Sequence, residues 1–291
     1  MRASEWLLAA YFVYAAAVAW IWPVKPEVRV VTLLLNLTIL AGYALLVHAD
    51  SLRRRAFLGV IRDWFPFPLM LLAYREMGWF AQPHLTFTLE RLWVGWDRVL
   101  LYRCGLKALV EATGPVLPSL LEISYSLVYA LGPFSAAMLY AYRRPKRMDT
   151  FLFTFQLGVL LCYAQFPFWP SEPPRTVFPG QDFPAYETVF RRFNWWMLGG
   201  YGIHTSVFPS AHVGGAFAAA FGMLRALPER PWVGRFLLVM AVLIATATVY
   251  GRYHYLADAA AGFGVALLAL GISRIRSTAA ASTAWRVKGK G

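Results

Sequence analysis

Three short stretches of this chain carry the residue types that move a phosphoryl group. The first, Pro209-Ser210-Ala211-His212, precedes a run of small apolar residues. Proline suits the first turn of a helix, where its missing N–H has no partner. A helix start offers free amides and a positive dipole end to an anion. Ser210 adds a hydroxyl donor, and His212 can protonate a departing oxygen. In the second stretch, Tyr250 to Asp258, His254 and Asp258 stand four apart and share one helix face. A carboxylate at one ring nitrogen fixes the imidazole tautomer and raises the nucleophilicity of the other nitrogen. The third, Trp169 to Arg175, supplies Arg175, which with Arg252 offers planar forks that match phosphate oxygens. Two histidines, a carboxylate and two arginines at a helix start describe in-line phosphoryl transfer through a phosphohistidine. Nothing at zinc-like spacing supports a metal, and no cofactor is implied.

Those stretches must be held by something apolar. Of the 291 residues, 59% are hydrophobic and 15% charged, and mean hydropathy is +0.49. Soluble domains run nearer 45–50% apolar and about 25% charged, so disorder, a fibre and an ordinary cytosolic enzyme are excluded. Apolar runs close to the roughly 20 residues needed to cross a bilayer recur. They lie at about 6–23, 30–48, 57–74, 117–142, 149–168, 209–226, 234–251 and 257–273. The third is interrupted by Asp63, Pro66 and Pro68 and reads as a broken or re-entrant span. The expected fold is therefore an all-α polytopic membrane helix bundle of about eight hydrophobic segments, six of them forming the catalytic core.

Between the third and fourth spans the pattern changes. Leu85, Leu89, Leu92, Trp96, Val99, Leu106 and Val110 recur at spacings of three and four, while Glu90, Arg91, Asp97, Arg98, Lys107 and Glu111 lie off that stripe. The pattern is an amphipathic helix. It suits either the membrane interface or packing on the bundle. Residues 170–207 read as a long polar connection, a kind of segment that is often functional. Cys104 and Cys162 form neither a disulfide framework nor a metal cluster.

The +13 formal charge reports orientation before it reports nucleic acid. With the N-terminus in the cytoplasm and eight crossings, 17 of the 28 basic residues fall on the cytoplasmic side. The strongest bias is in the short connections, as the positive-inside rule expects. Both termini are then cytoplasmic, the three polar stretches meet at the outer face, and nucleic-acid binding is disfavoured. A high ratio of arginine to lysine and abundant alanine point to a bacterial cell membrane. His48, His84 and His204 read as interfacial polar residues, with His204 near enough to be a spare acid.

At this point the chain resembles the type 2 phosphatidic acid phosphatase superfamily. Pro209 to His212 is similar to its Pro-Ser-x-His motif, and His254 to Asp258 to its His-x-x-x-Asp motif one span pair later. The resemblance covers roughly 90–275. It implies His254 as nucleophile, Asp258 as its orienting partner, His212 as acid to the leaving group, and Ser210, Arg175 and Arg252 as phosphate holders. Two positions depart from the superfamily pattern. Thr248 stands where an arginine precedes the nucleophile by six residues, and Phe168 stands where the first motif has lysine. With Pro173-Pro174-Arg175 and Tyr253-His254-Tyr255, these departures look like the inositolphosphotransferase branch, related to fungal inositol phosphorylceramide synthase.

The expected organisation is N-terminal spans over 1–83, a catalytic bundle over 84–275 and a polar cytoplasmic tail over 276–291. The expected partners are the membrane, a lipid phosphoester and either water or a lipid alcohol as acceptor. Hydrolysis and transfer both stay open. So do a simple lipid phosphate or polyprenyl diphosphate phosphatase, a non-catalytic lipid binder and a transporter. A transporter would carry charges at mid-span, for which Glu122 and Gln156 are the candidates.

Overall fold

The computed structural model describes residues 1–53, 55–81, 86–203, 205 and 207–288. Arg54, His84, Leu85, His204 and Lys290 lie outside the described residues. The chain forms α1 (Ala3–Ile21), α2 (Pro26–Arg53), α3 (Ala56–Trp64), α4 (Pro66–Met77), α5 (Thr88–Arg98), α6 (Leu106–Glu111), α7 (Val116–Ser126), α8 (Val128–Ala141), α9 (Met148–Tyr163), α10 (Pro174–Val177), α11 (Val189–Tyr201), α12 (Ala211–Ala226), α13 (Pro231–Tyr250) and α14 (Leu256–Lys288). No strand occurs among the described residues, and the architecture is an all-α polytopic bundle. Six segments are long and apolar enough to cross a membrane. The broken pair α7 and α8, bent by 66°, makes a seventh. The third span, expected to be broken, runs as one candidate span from Ala56 to Met77, with Phe65 between α3 and α4 still in the helical region; the sharp bend falls in the fourth apolar run instead.

Helix α12 has only 16 residues, about 24 Å at 1.5 Å per residue. It sits at the centre, packed by α8, α9, α13 and α14. Small residues let the neighbours close on it. A Cβ on Gly158 would lie 2.4 Å from that of Ala218, and one on Gly262 only 2.3 Å from the carbonyl oxygen of Ser210. The second approach draws the start of α14 against the start of α12. Those two starts carry Asp258 and His212.

At the opposite end of α12 the charged residues are gathered. Arg62 bonds both Glu5 and Asp50, Arg2 pairs with Asp63, and Asp149 accepts from Ser4 and Arg276. Arg225 donates to the Ser273 carbonyl. More acids are buried in the bundle than Glu122 alone: Glu5 and Asp63 at this end, and Glu76 near the other end of α4, accepting from the Asn36 amide at 2.7 Å. Their polar partners sit on other helices, which periodicity along one segment cannot show.

Two further sequence readings need correction. The connection over 170–207 holds a 13-residue helix, α11. Thr188 caps it by accepting from the Arg191 amide. Its outer face exposes Val189, Phe193 and Trp196, and its inner face buries Arg191 and Asn194. Interspersed arginines hid this amphipathic pattern. Likewise, α12 begins at Ala211 with Ser210 as its cap, so Pro209 stands just before the helix instead of in its first turn. A serine oxygen satisfies a first-turn amide, which makes it the better cap.

The amphipathic segment resolves in favour of an apolar face turned outward. Leu89, Leu92, Trp96 and Val99 are exposed, whereas Glu90, Trp93, Val94 and Asp97 are buried. This helix is inside out relative to one packed on a soluble core. The stripe changes sides after Gly105, whose φ of 74° turns the chain so that Val110 is buried. The final helix runs on through the segment expected to be a polar tail, to Lys288.

Candidate active site

Four local structures place the site. The α12 start presents His212 two residues after the Ser210 cap. Ser210 Oγ accepts from the Val213 amide at 3.4 Å, while the Ser210 amide donates to the Asp258 carbonyl at 3.0 Å. The turn between α13 and α14 presents His254. It is pinned by the amides of Tyr253 and His254, both donating to the Thr248 carbonyl at 2.9 Å. The α14 start presents Asp258, whose Oδ2 accepts from the Tyr255 amide at 2.9 Å and lies 3.4 Å from His254 Nδ1. Helix α10 presents Arg175, which donates to the Tyr253 carbonyl at 3.2 Å.

The structure therefore brings His212, His254, Asp258 and Arg175 together. The two imidazole rings stand 5.4 Å apart between centroids, tilted by 59°. His212, His254 and Arg175 line one end of a cavity of about 280 Å³ whose remaining walls are mostly apolar and aromatic. The Nε2 atom of His212 is buried without a partner, so it is available to a ligand oxygen. Burial, and then the Arg175 cation, push the His254 imidazole down to about 3, against a hydrogen bond to the Val207 backbone that pulls the other way. The ring is thus neutral at pH 7, the form a nucleophile needs. We expect the ¹⁵N shifts of His254 to remain those of a neutral ring at pH 5. A titration midpoint between 6 and 7 would contradict this.

Two expected phosphate holders sit elsewhere. Arg252 is fully buried and bonds Asp97 at 2.5 Å. The other Asp97 oxygen caps the start of α14 by accepting from the Leu256 amide at 2.8 Å. Arg252 does not line the cavity, though its Nε and Nη2 have no partner. Ser210 is fully buried, and its oxygen serves the helix cap. Thr248, at the position where the resemblance expects arginine, forms the base of the His254 turn. Phe168, at the expected lysine, packs edge-on against Trp22 at 5.1 Å. Among the described residues, Arg175 is the one cation lining the cavity.

Sequence reasoning missed a second network behind the site. Glu122 accepts from Arg191 at 2.9 Å, from Asn194 at 2.7 Å and from the Tyr253 hydroxyl at 2.5 Å. Tyr253 stacks on Tyr125 at 4.1 Å, and Tyr125 stacks on His212 at 4.8 Å. The carboxylate is thus paired and ties α7 and α11 to the residue before His254. A mid-span ion site would need that carboxylate free. A signal existed for Asp97: it lies seven residues from Glu90, on the same helix face. Glu122 stood out as a charge within an apolar run, but its partners Arg191, Asn194 and Tyr253 come from distant segments that the sequence does not connect.

These features define an integral-membrane helical bundle with a histidine-lined cavity at one end. The sequence model of the PAP2 superfamily matches residues 94–272, and the chain belongs to that superfamily. Its members are phosphatases and phosphotransferases. No curated protein and no solved structure matches the chain.

Proposed function

We propose that the protein transfers or hydrolyses a lipid phosphoester through a phosphohistidine on His254. The observation that carries this reading is the pair of imidazoles 5.4 Å apart, beside Arg175, at the polar end of an apolar cavity. His254 attacks phosphorus as the bond to the leaving oxygen breaks, and His212 gives that oxygen a proton. Asp258 holds the other His254 nitrogen and stabilises its positive charge. Arg175 and the α12 amides take up phosphoryl charge. Water or a lipid alcohol then attacks the phosphohistidine, giving its proton to His212 and freeing His254.

The acceptor distinguishes two forms of this function. We favour an inositolphosphotransferase-like activity in phospholipid or sphingolipid metabolism, because Thr248 and Phe168 replace the basic residues of the phosphatase motifs. The clustering of Arg62, Arg147, Arg225 and Arg276 at the far end of the bundle supports cytoplasmic termini and a site at the outer face of a cell membrane. Purified protein given lipids labelled with ³²P, including phosphatidic acid and phosphatidylinositol, tests both forms. Free phosphate or water-soluble phosphoester identifies a hydrolase, and label on a second lipid identifies a transferase. No turnover of any labelled lipid overturns the function.

A further inference from the structure

The cavity has a wall that the superfamily segment does not supply. Phe67, Pro68, Met70, Leu71 and Tyr74 of α4 line it, and α4 precedes the matched residues 94–272. Its floor is tight. A Cβ on Gly132 of α8 would lie 2.8 Å from both Phe67 and Phe155, so α4, α8 and α9 close together there. Its roof is tied. The Tyr201 hydroxyl donates to the Leu71 carbonyl at 2.8 Å, the Ile203 amide donates to the Tyr74 hydroxyl at 2.9 Å, and Arg75 donates to the Tyr201 carbonyl at 2.6 Å.

Between floor and roof the wall is not sealed. Pro68 and Leu71 line the cavity and are themselves exposed. Across from them stand the half-buried Val128 and Pro133 of α8. Every one of these four side chains is apolar. One end of the cavity holds Arg175 and two imidazoles, and the side faces the surface where the apolar spans meet lipid. A phosphate joined to a hydrocarbon chain matches that polarity along its length. Water in such a slot would gain little, since a bound water needs two to four polar partners.

We propose that a hydrocarbon chain of the substrate passes sideways between α4 and α8, with Leu71 and Pro68 selecting which chains fit. This rests on the lipid phosphoester reading above and assigns a substrate-selecting role to spans outside the superfamily segment. The slot between α4 and α8 is then the route by which lipid reaches the histidines.

Two measurements test it. The first needs no turnover. His254→Ala protein in detergent is irradiated with phosphatidic acid carrying a diazirine midway along one acyl chain, and the adducts are mapped by mass spectrometry. Adducts concentrated on residues 67–74 and 128–133 support the slot. Adducts confined to outward-facing residues of α2 or α13 overturn it. The second compares kcat/KM for dioleoyl and dihexanoyl phosphatidic acid. Leu71→Trp should lower the long-to-short ratio at least tenfold, while Leu37→Trp, on the exposed face of α2, leaves that ratio as in the wild type. A ratio unmoved by Leu71→Trp overturns the proposal. If the wild type turns over no labelled lipid, the phosphotransfer reading fails, and the adduct map still decides the slot.

Discussion

His254→Ala should lower turnover by about 10⁴-fold or more, because without the imidazole no covalent intermediate can form. Acid-sensitive label should accumulate on the wild type when an acceptor is withheld, and none should appear on the variant. Asp258→Asn should cost roughly 10²- to 10⁴-fold in kcat while leaving lipid binding near its wild-type level. An amide at that position cannot balance the charge on His254 and favours the wrong tautomer. The geometry sets this expectation: Asp258 is fully buried, and its Oδ2 lies 3.4 Å from His254 Nδ1. His212→Ala should spare the first chemical step for a substrate whose leaving group needs no proton, such as a p-nitrophenyl phosphoester. For an alkyl ester it should be severe. Equal losses with the two leaving groups would remove His212 from the role of acid.

The second large effect is expected at Asp97. Asp97→Leu leaves the Arg252 guanidinium fully buried with no counter-charge, and arginine cannot shed its proton. Breaking one side of a buried ion pair costs about 3–5 kcal/mol, a large part of the roughly 5–15 kcal/mol that holds a domain together. The variant should lose thermal stability and activity together, since Asp97 also caps the helix that carries Asp258. Arg252→Met should be milder. Burial already pushes the Asp97 carboxyl up to about 6, against the pull of Arg252. Without the arginine it rises further and takes a proton, so the buried charge disappears. A carboxyl whose folded-state value is raised is stabilising when protonated, so this variant should gain stability as pH falls from 8 to 5. The double change Asp97→Leu with Arg252→Met should recover most of the stability lost in Asp97→Leu. If Arg252→Met kept full stability across that pH range but lost activity, Arg252 would act at the phosphate instead of as a strut.

What the residues determined unaided is local or periodic. Long apolar runs must leave water, so the spans and the all-α fold follow from composition and spacing, whereas the bend between α7 and α8 does not. The four-residue separation of His254 and Asp258 puts them close along the chain, but not on one helix face as their spacing suggests: α14 begins at Leu256, and His254 stands in the turn before it, held by the Thr248 carbonyl. The tertiary structure decided everything that depends on distant segments meeting. It paired Arg252 with Asp97 across 155 positions and closed Glu122 within Arg191, Asn194 and Tyr253. It left Arg175 as the cation at the cavity. It also turned the apolar stripe of α5 outward and its acids inward. Periodicity measures how apolar residues are grouped on a helix, not which side faces lipid. In a membrane both sides of that choice are apolar, and only the position of a buried partner charge settles it.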